Sequence, residues 1–394
     1  MQASTDLGFG VKARQHWCLD PECIFLNHGS FGATPRVVLE AQHQWQQRLE
    51  AQPVRFMAKE LAHRLRDAAA TLATFVGAAP EDLVFVENAT TGVNTVLRSL
   101  DWQPQDEIVA TNHGYRAVQH SLHYLCQRTG AQLVEAPIPF PLAHPQEVIA
   151  AVAAALNPRT RLVVLDHIAS SSALILPLQE IIEASHNQGI PVLVDGAHAP
   201  GMIPLDLQDL GADWYTGNAH KWLSAPKGCA FLWTHPQHQH QIHPLTISHG
   251  YGGGYVTEFD WTGTRDPSAW LAIPTVLEFW QQWGWEAVRT YNQTLVQQAG
   301  ELLAAVLGCD LPAPASMIGA MLTLPLPLSC WQDEAQTTLL TSATELHDWL
   351  WEQHQIEVPV FPFLDRLWIR ISAQIYNHLP EYVKLADCLG QRCL

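Results

Sequence analysis

Residues 191–201 read PVLVDGAHAPG, and residues 212–228 read ADWYTGNAHKWLSAPKG. The first stretch opens with an apolar run typical of a strand that is covered on both faces, and this run ends at Asp195. Ligands of open α/β sheets lie at the carboxyl ends of the strands, so an acid at this position meets a ligand. The second stretch places Lys221 among apolar and aromatic residues, where the pKa of an amine is depressed. A turn cap at Asp195 and a surface lysine at position 221 are the ordinary alternatives, and each explains its residue taken alone.

The segments around these stretches alternate between short apolar runs and amphipathic runs. This βαβ rhythm predicts an α/β fold with a mostly parallel sheet covered by helices. Beyond residue 270, longer helices and short strands predict a smaller α+β domain. The predicted strands of the sheet lie at 82–87, 107–112, 132–138, 161–168 and 191–198, and the helices between them at 90–100, 117–130, 146–156 and 177–189.

Composition excludes several classes of protein. The chain has 394 residues, of which 47% are hydrophobic and 15% charged, as in an ordinary globular protein. A net charge of −17 repels phosphate backbones and anionic membranes, so we expect neither a nucleic-acid nor a membrane partner. The first 17 residues lack the apolar core of a signal peptide, and no apolar run approaches the length of a membrane span. The eight scattered cysteines form no CxxC pair, so we expect reduced thiols and a cytoplasmic location.

Lys221 is one of five lysines in the chain. With Asp195 it fits the needs of a pyridoxal phosphate enzyme, which requires an amine for a Schiff base and an acid that keeps the pyridine nitrogen protonated. A phosphate site is predicted where a strand ends and a helix begins, because Ala89, Thr90 and Thr91 can offer N–H groups and hydroxyls there. An ordinary helix cap at Thr90 explains the same residues equally well.

Six motifs, spread over nearly the whole chain, resemble those of class V aminotransferases, a group of fold-type I pyridoxal phosphate enzymes. Within that group the chain is most similar to the isopenicillin N epimerase-like branch. The motifs are LNHGSFG (26–32), VENATTGVN (86–94), DGAHAPG (195–201), TGNAHKW (216–222), WTGTRD (261–266) and RISAQIYN (370–377). The resemblance implies a large cofactor-binding domain with a seven-stranded-type sheet at 31–269, a small α+β domain with a long connecting helix at 270–394, and an N-terminal segment, 1–30, that contributes to the active site.

The resemblance also implies which residues hold the cofactor. Lys221 forms the Schiff base, Asp195 binds the pyridine nitrogen and His198 approaches the ring hydroxyl. Either Tyr115 or His113 stacks on the ring, and the choice between them stays open. The remaining cofactor contacts are the phosphate ligands Ala89, Thr90, Thr91, Asn218 and His220, together with Ser170 near the ring oxygen.

For the substrate, the resemblance assigns Arg370 to the carboxylate, which a guanidinium grips with two parallel hydrogen bonds. A surface arginine at a strand end is the alternative. Asn27 and His28 are expected to line the substrate entrance. In a homodimer, residues 250–254 and Thr264 reach the cofactor of the neighbouring subunit. The resemblance therefore implies a small-molecule amino-acid substrate, pyridoxal 5'-phosphate as cofactor and a second copy of the chain as partner.

The reaction implied by the resemblance begins with loss of the Cα proton to Lys221 and passes from an aldimine to a quinonoid. Epimerisation then needs an acid on the face opposite Lys221, for which Tyr115, His28 or a water molecule is available. A C–S lyase that acts on cysteine, a cysteine conjugate or a sulfoxide instead needs a leaving group on Cβ. An aminotransferase needs a pocket for a second keto acid. The resemblance favours the epimerase, with the lyase next, and names no substrate side chain.

A cysteine desulfurase of this class needs a mobile cysteine shortly before Arg370, and residues 357–370 (EVPVFPFLDRLWIR) contain none. Persulfide-forming activity is therefore not expected. Residues 235–243 carry four histidines, at His235, His238, His240 and His243, that could chelate a metal. A solvated loop is favoured, because no carboxylate or thiol lies close in sequence to complete a site. No bound metal is expected.

Two further classes of function are weighed against the enzyme. A non-catalytic binding module has no need of Asp195, His198, His220 and Lys221 together, so their joint presence argues against it. A metallohydrolase built on the acid and the two histidines is disfavoured, because Lys221 directly follows His220. A pyridoxal phosphate enzyme accounts for all four residues.

Overall fold

The computed structural model of the chain describes residues 8–327, 330 and 338–393. Its strands form a seven-stranded sheet, a three-stranded sheet and a two-stranded pair. In chain order the strands are β1 (Ile24–Phe25), β2 (Leu83–Val86), β3 (Glu107–Thr111), β4 (Gln132–Ala136), β5 (Thr160–Asp166), β6 (Val192–Asp195), β7 (Trp214–Asn218), β8 (Ala230–Thr234), β9 (Met321–Pro325), β10 (Ile356–Glu357), β11 (Val360–Phe363) and β12 (Arg366–Ser372).

The large sheet has the strand order β2-β8-β7-β6-β5-β3-β4. Neighbouring strands from β7 to β4 are parallel, and β8 runs antiparallel to both of its neighbours, β7 and β2. The predicted α/β fold with a mostly parallel sheet is therefore confirmed. In the β5–β6 ladder Asp166 pairs with Asp195, so both strands end in an acid. We call this end of the sheet the carboxyl edge and the opposite end the amino edge.

Helices cover both faces of this sheet, as parallel strands require. Along β2, Leu83 and Phe85 face one apolar core, while Val84 and Val86 face another, which is the two-residue period of a strand. In chain order the α-helices are α1 (Val11–Arg14), α2 (His28–Phe31), α3 (Arg36–Ala51), α4 (Pro53–Arg55), α5 (Leu61–Val76), α6 (Ala89–Ser99), α7 (Arg116–Thr129), α8 (Gln146–Ala155), α9 (Leu178–His186), α10 (Leu207–Leu210), α11 (Tyr255–Asp260), α12 (Ser268–Leu271), α13 (Ile273–Trp283), α14 (Trp285–Leu307), α15 (Leu339–His354) and α16 (Leu379–Cys393).

The three-stranded sheet is antiparallel, with the order β11-β12-β9, and α14, α15 and α16 pack around it. Its side chains form a separate apolar core. The N-terminal segment joins the two units, because Trp17 is buried in the core of the large sheet and Leu26 in the core of the small one. Between them, β1 pairs in parallel with β10.

The predicted boundary between residues 269 and 270 falls inside α12. Val276 and Trp280 of α13 are still buried in the core of the large sheet, whereas the core of the small sheet takes up α14 at Leu295. α13 ends and α14 begins at Gly284 (φ 78°), and Val288 in α14 still packs in the core of the large sheet. Packing therefore favours a boundary inside α14, and the three predicted domain ranges stay predictions.

Other expectations have mixed outcomes. Strands β7 and β8 have no counterpart among the predicted strands. Cys330 is disulfide-bonded, so the expectation of reduced thiols is wrong at this residue.

Within the described ranges, no helix is long and apolar enough to cross a membrane. Residues 236–241 form a short 3-10 helix, and no group of side chains able to hold a metal ion occurs in the described part of the chain.

Candidate active site at the carboxyl edge

Lys221 is buried in the turn that follows β7. Its Nζ atom lies 3.0 Å from Nε2 of His198, which comes from the turn after β6. The N-terminal segment packs directly against this turn at Gly32, where φ is 71° and a Cβ atom would overlap the carbonyl oxygen of His220. Only glycine tolerates both conditions. The LNHGSFG motif is therefore a structural requirement of the lysine turn.

Burial lowers the pKa of the Lys221 amine to about 8, since a charged amine is poorly solvated at this position. The negative charges of Asp195 and Asp166 oppose this shift, and the positive charge of Arg370 adds to it. An amine with such a pKa has a substantial free-base fraction near neutral pH. Lys221 thus has the property that Schiff-base chemistry requires.

Two aspartates lie side by side at this edge. Asp195 Oδ1 accepts the N–H of Ala197 at 2.9 Å, and Asp166 is buried next to it at the end of β5. Burial raises the pKa of both carboxyls, and the charge of Asp195 raises the pKa of Asp166 further. Asp166 is absent from the predicted site residues, although the apolar run RLVVLD at 161–166 carries the same signal as the run that ends at Asp195.

Both ring nitrogens of His198 are engaged. Nδ1 accepts the indole N–H of Trp222 at 3.3 Å, and Nε2 faces the amine of Lys221. Burial lowers the pKa of His198 well below its usual value, and the charges of Lys221 and Arg370 lower it further. The imidazole is therefore neutral. The predicted neighbourhood of His198, Asp195 and Lys221 is present, and Trp222 joins it.

The start of α6 differs in detail from the expected phosphate site. Asn88 caps the helix by accepting the N–H of Thr91 at 2.9 Å, and the side chain of Asn218 accepts the N–H of Ala89 at 2.8 Å. These two N–H groups are thus already satisfied within the protein. Thr90 is the member of the predicted trio that keeps its N–H and hydroxyl for a ligand. His220, also predicted here, binds the carbonyl oxygen of Cys229 through Nδ1 at 2.9 Å, which leaves Nε2.

Arg370 projects from β12 and is only 5% exposed. Nη1 donates to the carbonyl oxygen of Ser170 at 2.6 Å and to its hydroxyl at 3.1 Å, and Nη2 donates to Ser30 Oγ at 3.1 Å. Nε is buried without a hydrogen-bond partner, and no carboxylate of the described chain pairs with the guanidinium. Burial lowers its pKa to about 10. A buried, unpaired cation of this kind needs an anionic ligand.

The two candidates for the ring-stacking residue lie in different environments. Lys221 Nζ lies over the ring of Tyr115, 5.9 Å from its centroid, and this tyrosine is 42% exposed. His113 is fully buried, bound to Ser172 Oγ at 2.8 Å and packed edge-on against Phe140 and Phe363. The placement therefore favours Tyr115.

His28 does not line an entrance as expected, whereas the expectation for Asn27 stays a prediction. His28 is fully buried, and its ring nitrogens contact the hydroxyl of Tyr376 at 2.7 Å and the carbonyl oxygen of Lys221 at 3.1 Å. His28 therefore stabilises the turn that carries Lys221. Neither of its ring nitrogens is free to contact a substrate. Asn27 donates to Glu357 Oε1 at 2.8 Å and accepts from Ser30 Oγ at 2.5 Å, so it orients the serine that binds Arg370.

Residues expected to serve a neighbouring subunit lie away from Lys221. Thr264 lines a surface cavity of about 570 Å³ together with Met57 and Arg265, and no contact residue of Lys221 takes part in it. The glycine-rich loop at 250–254 is tied down by Glu258, which accepts the N–H of Gly252 at 3.1 Å. Within one chain these residues do not complete the site.

The segment in which a desulfurase carries its cysteine is a tight hairpin. In the β11–β12 ladder Phe363 pairs with Arg366, so only Leu364 and Asp365 remain for the turn. Both have positive φ values, 45° and 56°, as a two-residue hairpin turn requires. The turn therefore has neither the cysteine nor the length of a mobile catalytic loop.

Comparisons with known proteins identify the family and support the fold. The class V aminotransferase family matches residues 24–343. Isopenicillin N epimerase of Streptomyces clavuligerus is 34% identical, over 96% of this chain and 97% of the relative. Putative L-cysteine desulfhydrase 1 of Oryza sativa subsp. japonica is 33% identical, over 93% of this chain and 82% of the relative. An apo cysteine desulfurase from Thermococcus onnurineus NA1 has the same fold, with a TM-score of 0.81 at 18% identity over 98% of each chain.

The site also passes a chemical test for pyridoxal phosphate, the cofactor of this family. A buried amine of lowered pKa, an acid at a strand end and a helix N-terminus lie within one cluster. The orphaned Nε of Arg370 adds a place for the carboxylate of an amino acid. This chain is a pyridoxal phosphate-dependent enzyme, and it belongs to the class V aminotransferase family.

Proposed function

We propose that this enzyme inverts the Cα centre of an amino-acid substrate, as an isopenicillin N epimerase-like isomerase. The observation that carries the proposal is the gap between two proton-handling groups, since Lys221 Nζ faces the ring of Tyr115 at 5.9 Å from its centroid. A carbon held between these two side chains would have the amine of Lys221 on one side and the ring of Tyr115, which carries a hydroxyl, on the other. One group removes the proton and the other returns it from the opposite face.

Pyridoxal 5'-phosphate, when bound, supplies an electron sink for the negative charge that develops at Cα. In the proposal Lys221 holds it covalently, Asp195 keeps its ring nitrogen protonated and His198 donates to its ring oxygen. Thr90 binds the phosphate through its N–H and hydroxyl, and His220 does so through Nε2. Each of these groups is buried or half-buried.

Arg370 binds the substrate carboxylate in the proposal. Its guanidinium is held in place by Ser170 and Ser30, and it lacks a counter-ion until the substrate arrives. An arginine fork fixes a carboxylate in one orientation, which sets the position of Cα relative to Lys221. The substrate is therefore an amino acid with a free carboxylate.

The second candidate is C–S bond cleavage on cysteine, a cysteine conjugate or a sulfoxide. Relatives named L-cysteine desulfhydrase support it. The position of His28 supports it too, because β-elimination needs no acid opposite Lys221 and His28 cannot supply one. The hairpin between β11 and β12 has no cysteine to receive sulfur, so the sulfur would leave as a free thiol, sulfenate or sulfide. Transamination ranks below both, since it needs a site for a second keto acid.

Incubation of the holoenzyme with single L-amino acids and cysteine conjugates in deuterium oxide tests the proposal. Epimerisation predicts deuterium at Cα and the appearance of the D-isomer, followed by NMR and chiral chromatography. Pyruvate, ammonia and a released thiol without the D-isomer would establish the lyase and overturn the isomerase. A keto acid that forms only when a second keto acid is present would establish the aminotransferase.

A pair of tyrosine variants sharpens the test. Tyr115→Phe removes the phenol but keeps the ring, so epimerisation falls by about 100-fold or more, whereas β-elimination changes little. Tyr124→Phe is the matched control, since Tyr124 has a similar exposure (48% against 42%) and lies on α7. Equal epimerisation rates in both variants would remove Tyr115 from the mechanism.

A homodimer in the cytoplasm stays part of the proposal. Leu245, Ile247 and Tyr251 are exposed beside the glycine-rich loop 250–254, as an apolar contact surface requires. Thr264 can serve an active site only in a second copy of the chain. Light scattering of the purified holoenzyme measures the mass, and a monomer at assay concentration would exclude this part of the proposal.

A further inference from the structure

Trp222 lies directly after the lysine of the active site and is only 2% exposed. Its indole ring packs against His28, with the ring centroids 4.9 Å apart, and its N–H donates to Nδ1 of His198 at 3.3 Å. An indole nitrogen can donate a hydrogen bond but cannot accept one. Nδ1 of His198 must therefore present a lone pair.

This contact decides where the proton of His198 lies. A neutral imidazole carries one proton, so a lone pair at Nδ1 places the proton at Nε2. The other tautomer would set two N–H groups against each other at 3.3 Å, as would the doubly protonated ring. With a proton at Nε2, His198 is the donor in its 3.0 Å contact with Lys221 Nζ. The amine must then accept, which only its free-base form can do.

We propose that Trp222 is a positioning residue that locks His198 in its Nε2–H tautomer and thereby favours the free-amine form of Lys221 before cofactor or substrate binds. Trp222 contacts His28 and His198 and acts through His198. The inference deepens the proposed function, on which its relevance to turnover rests, because in that proposal the same Nε2–H would donate to the ring oxygen of the cofactor. The charged and titratable groups around the pair are Asp166, Asp195, Arg370, His28, His220 and Tyr115.

Tautomers can be read directly by NMR in the cofactor-free protein. Protein labelled with 15N-histidine gives one pattern of long-range 1H–15N correlations for each tautomer, and the pattern of His198 is the one missing from the His198→Gln spectrum. We expect a protonated Nε2 and an unprotonated Nδ1 in the wild type. A protonated Nδ1 would overturn the proposal, and this measurement needs no variant of Trp222.

The variant Trp222→Phe removes the indole N–H and keeps an aromatic ring at the position. We expect the His198 resonances to move towards the Nδ1–H tautomer, which lets Lys221 donate as an ammonium group. If the pKa of Lys221 rises by one unit, its free-base fraction near neutral pH falls about tenfold. Amine acylation of the cofactor-free protein, with mass spectrometry of the Lys221 peptide as a function of pH, measures this fraction.

Trp233→Phe is the matched control. Trp233 is equally buried, but its indole N–H has no hydrogen-bond partner. Its loss should change neither the His198 tautomer nor the acylation of Lys221. An unchanged tautomer in Trp222→Phe, or equal changes in both variants, would overturn the proposal. Neither measurement uses cofactor or substrate, so failure here is distinct from failure of the proposed function.

Discussion

The two edges of the large sheet bury carboxylates in opposite ways. At the amino edge, Asp213 accepts from His186 at 2.9 Å, from His238 at 2.8 Å and from the N–H of Val192 at 2.7 Å. At the carboxyl edge, Asp195 accepts only the N–H of Ala197 within the described chain. The carboxylate of Asp213 thus has three hydrogen-bond donors, whereas the carboxylate of Asp195 has a single donor.

The same contrast holds for the cations. At the amino edge, the guanidinium of Arg159 pairs with buried Glu107, and Asn157 completes the set. At the carboxyl edge, buried Arg370 pairs with no carboxylate of the described chain, and the amine of Lys221 contacts His198 and lies over the ring of Tyr115. Removal of one partner of a buried charge pair is destabilising, whereas a buried charge left unpaired costs stability and is available to a ligand. The charged groups at the amino edge therefore have a structural role, and those at the carboxyl edge are available to a ligand.

The largest expected effect comes from Lys221→Ala at the carboxyl edge. Turnover should fall by about 10⁴-fold or more, because the group that holds the cofactor and moves the proton is gone. Borohydride trapping of the cofactor and product formation measure both losses. Lys227→Ala is the control, since Lys227 is exposed and its amine donates to Thr34 Oγ1 at 3.2 Å. Retained turnover in Lys221→Ala would remove the lysine from the mechanism.

A second prediction concerns the pH dependence of stability. Burial lowers the pKa of Lys221 from 10.5 to about 8 in the folded protein. Between these pH values the unfolded chain holds a proton that the folded chain has released, so stability rises with pH through this window. Urea unfolding of the cofactor-free protein should show the wild type gaining about 3 kcal/mol relative to Lys221→Met. If the free energies of unfolding of the wild type and of Lys221→Met changed with pH in parallel, burial would not shift this pKa.

Arg370→Ala tests the cation that lacks a partner. Loss of charge-assisted hydrogen bonds to the substrate should raise KM by about 30-fold, equivalent to about 2 kcal/mol. Arg159→Ala at the amino edge should leave KM unchanged and lower the stability instead. Steady-state kinetics and urea unfolding of both variants measure the contrast. An unaltered KM in Arg370→Ala would place the substrate carboxylate elsewhere.

The smallest effect is expected at Asp213. Asp213→Ala leaves the buried N–H of Val192 without its acceptor, so the free energy of unfolding should fall by about 2 kcal/mol. Asp195→Ala should lose less than half of that value, because a single N–H depends on its carboxyl. Urea unfolding of the cofactor-free proteins makes the comparison. A larger loss at Asp195 would contradict the division of roles between the edges.

Much of the fold follows from the sequence because its strands are long apolar runs. The strand before Asp195 could be predicted for this reason, and so could the one before Asp166. Strand β7, WYTGN, could not, because its Gly217 and Asn218 are residues typical of turns. Its burial comes from neighbours on both sides of the sheet, which a single sequence does not reveal.

At the site, the chemical role of a side chain could be predicted more readily than the residues that it contacts. Lys221, Asp195 and His198 meet as expected because short turns after adjacent strands bring them together. His28 could not be assigned, because an imidazole in NHGSFG looks the same whether it faces a ligand or supports a buried turn. The role of Trp222 depends on one indole N–H that meets a residue 24 positions away.

The N-terminal segment bears on how the protein is made. Asn27 donates to Glu357, 330 positions later, and His28 meets Tyr376, 348 positions later. During synthesis these side chains leave the ribosome long before their partners exist, and all seven strands of the large sheet are translated before those partners. Contacts this distant in sequence form slowly. The lysine turn therefore gains its full support only when almost the whole chain has been translated, and a truncated product would carry a folded sheet with an unfinished site.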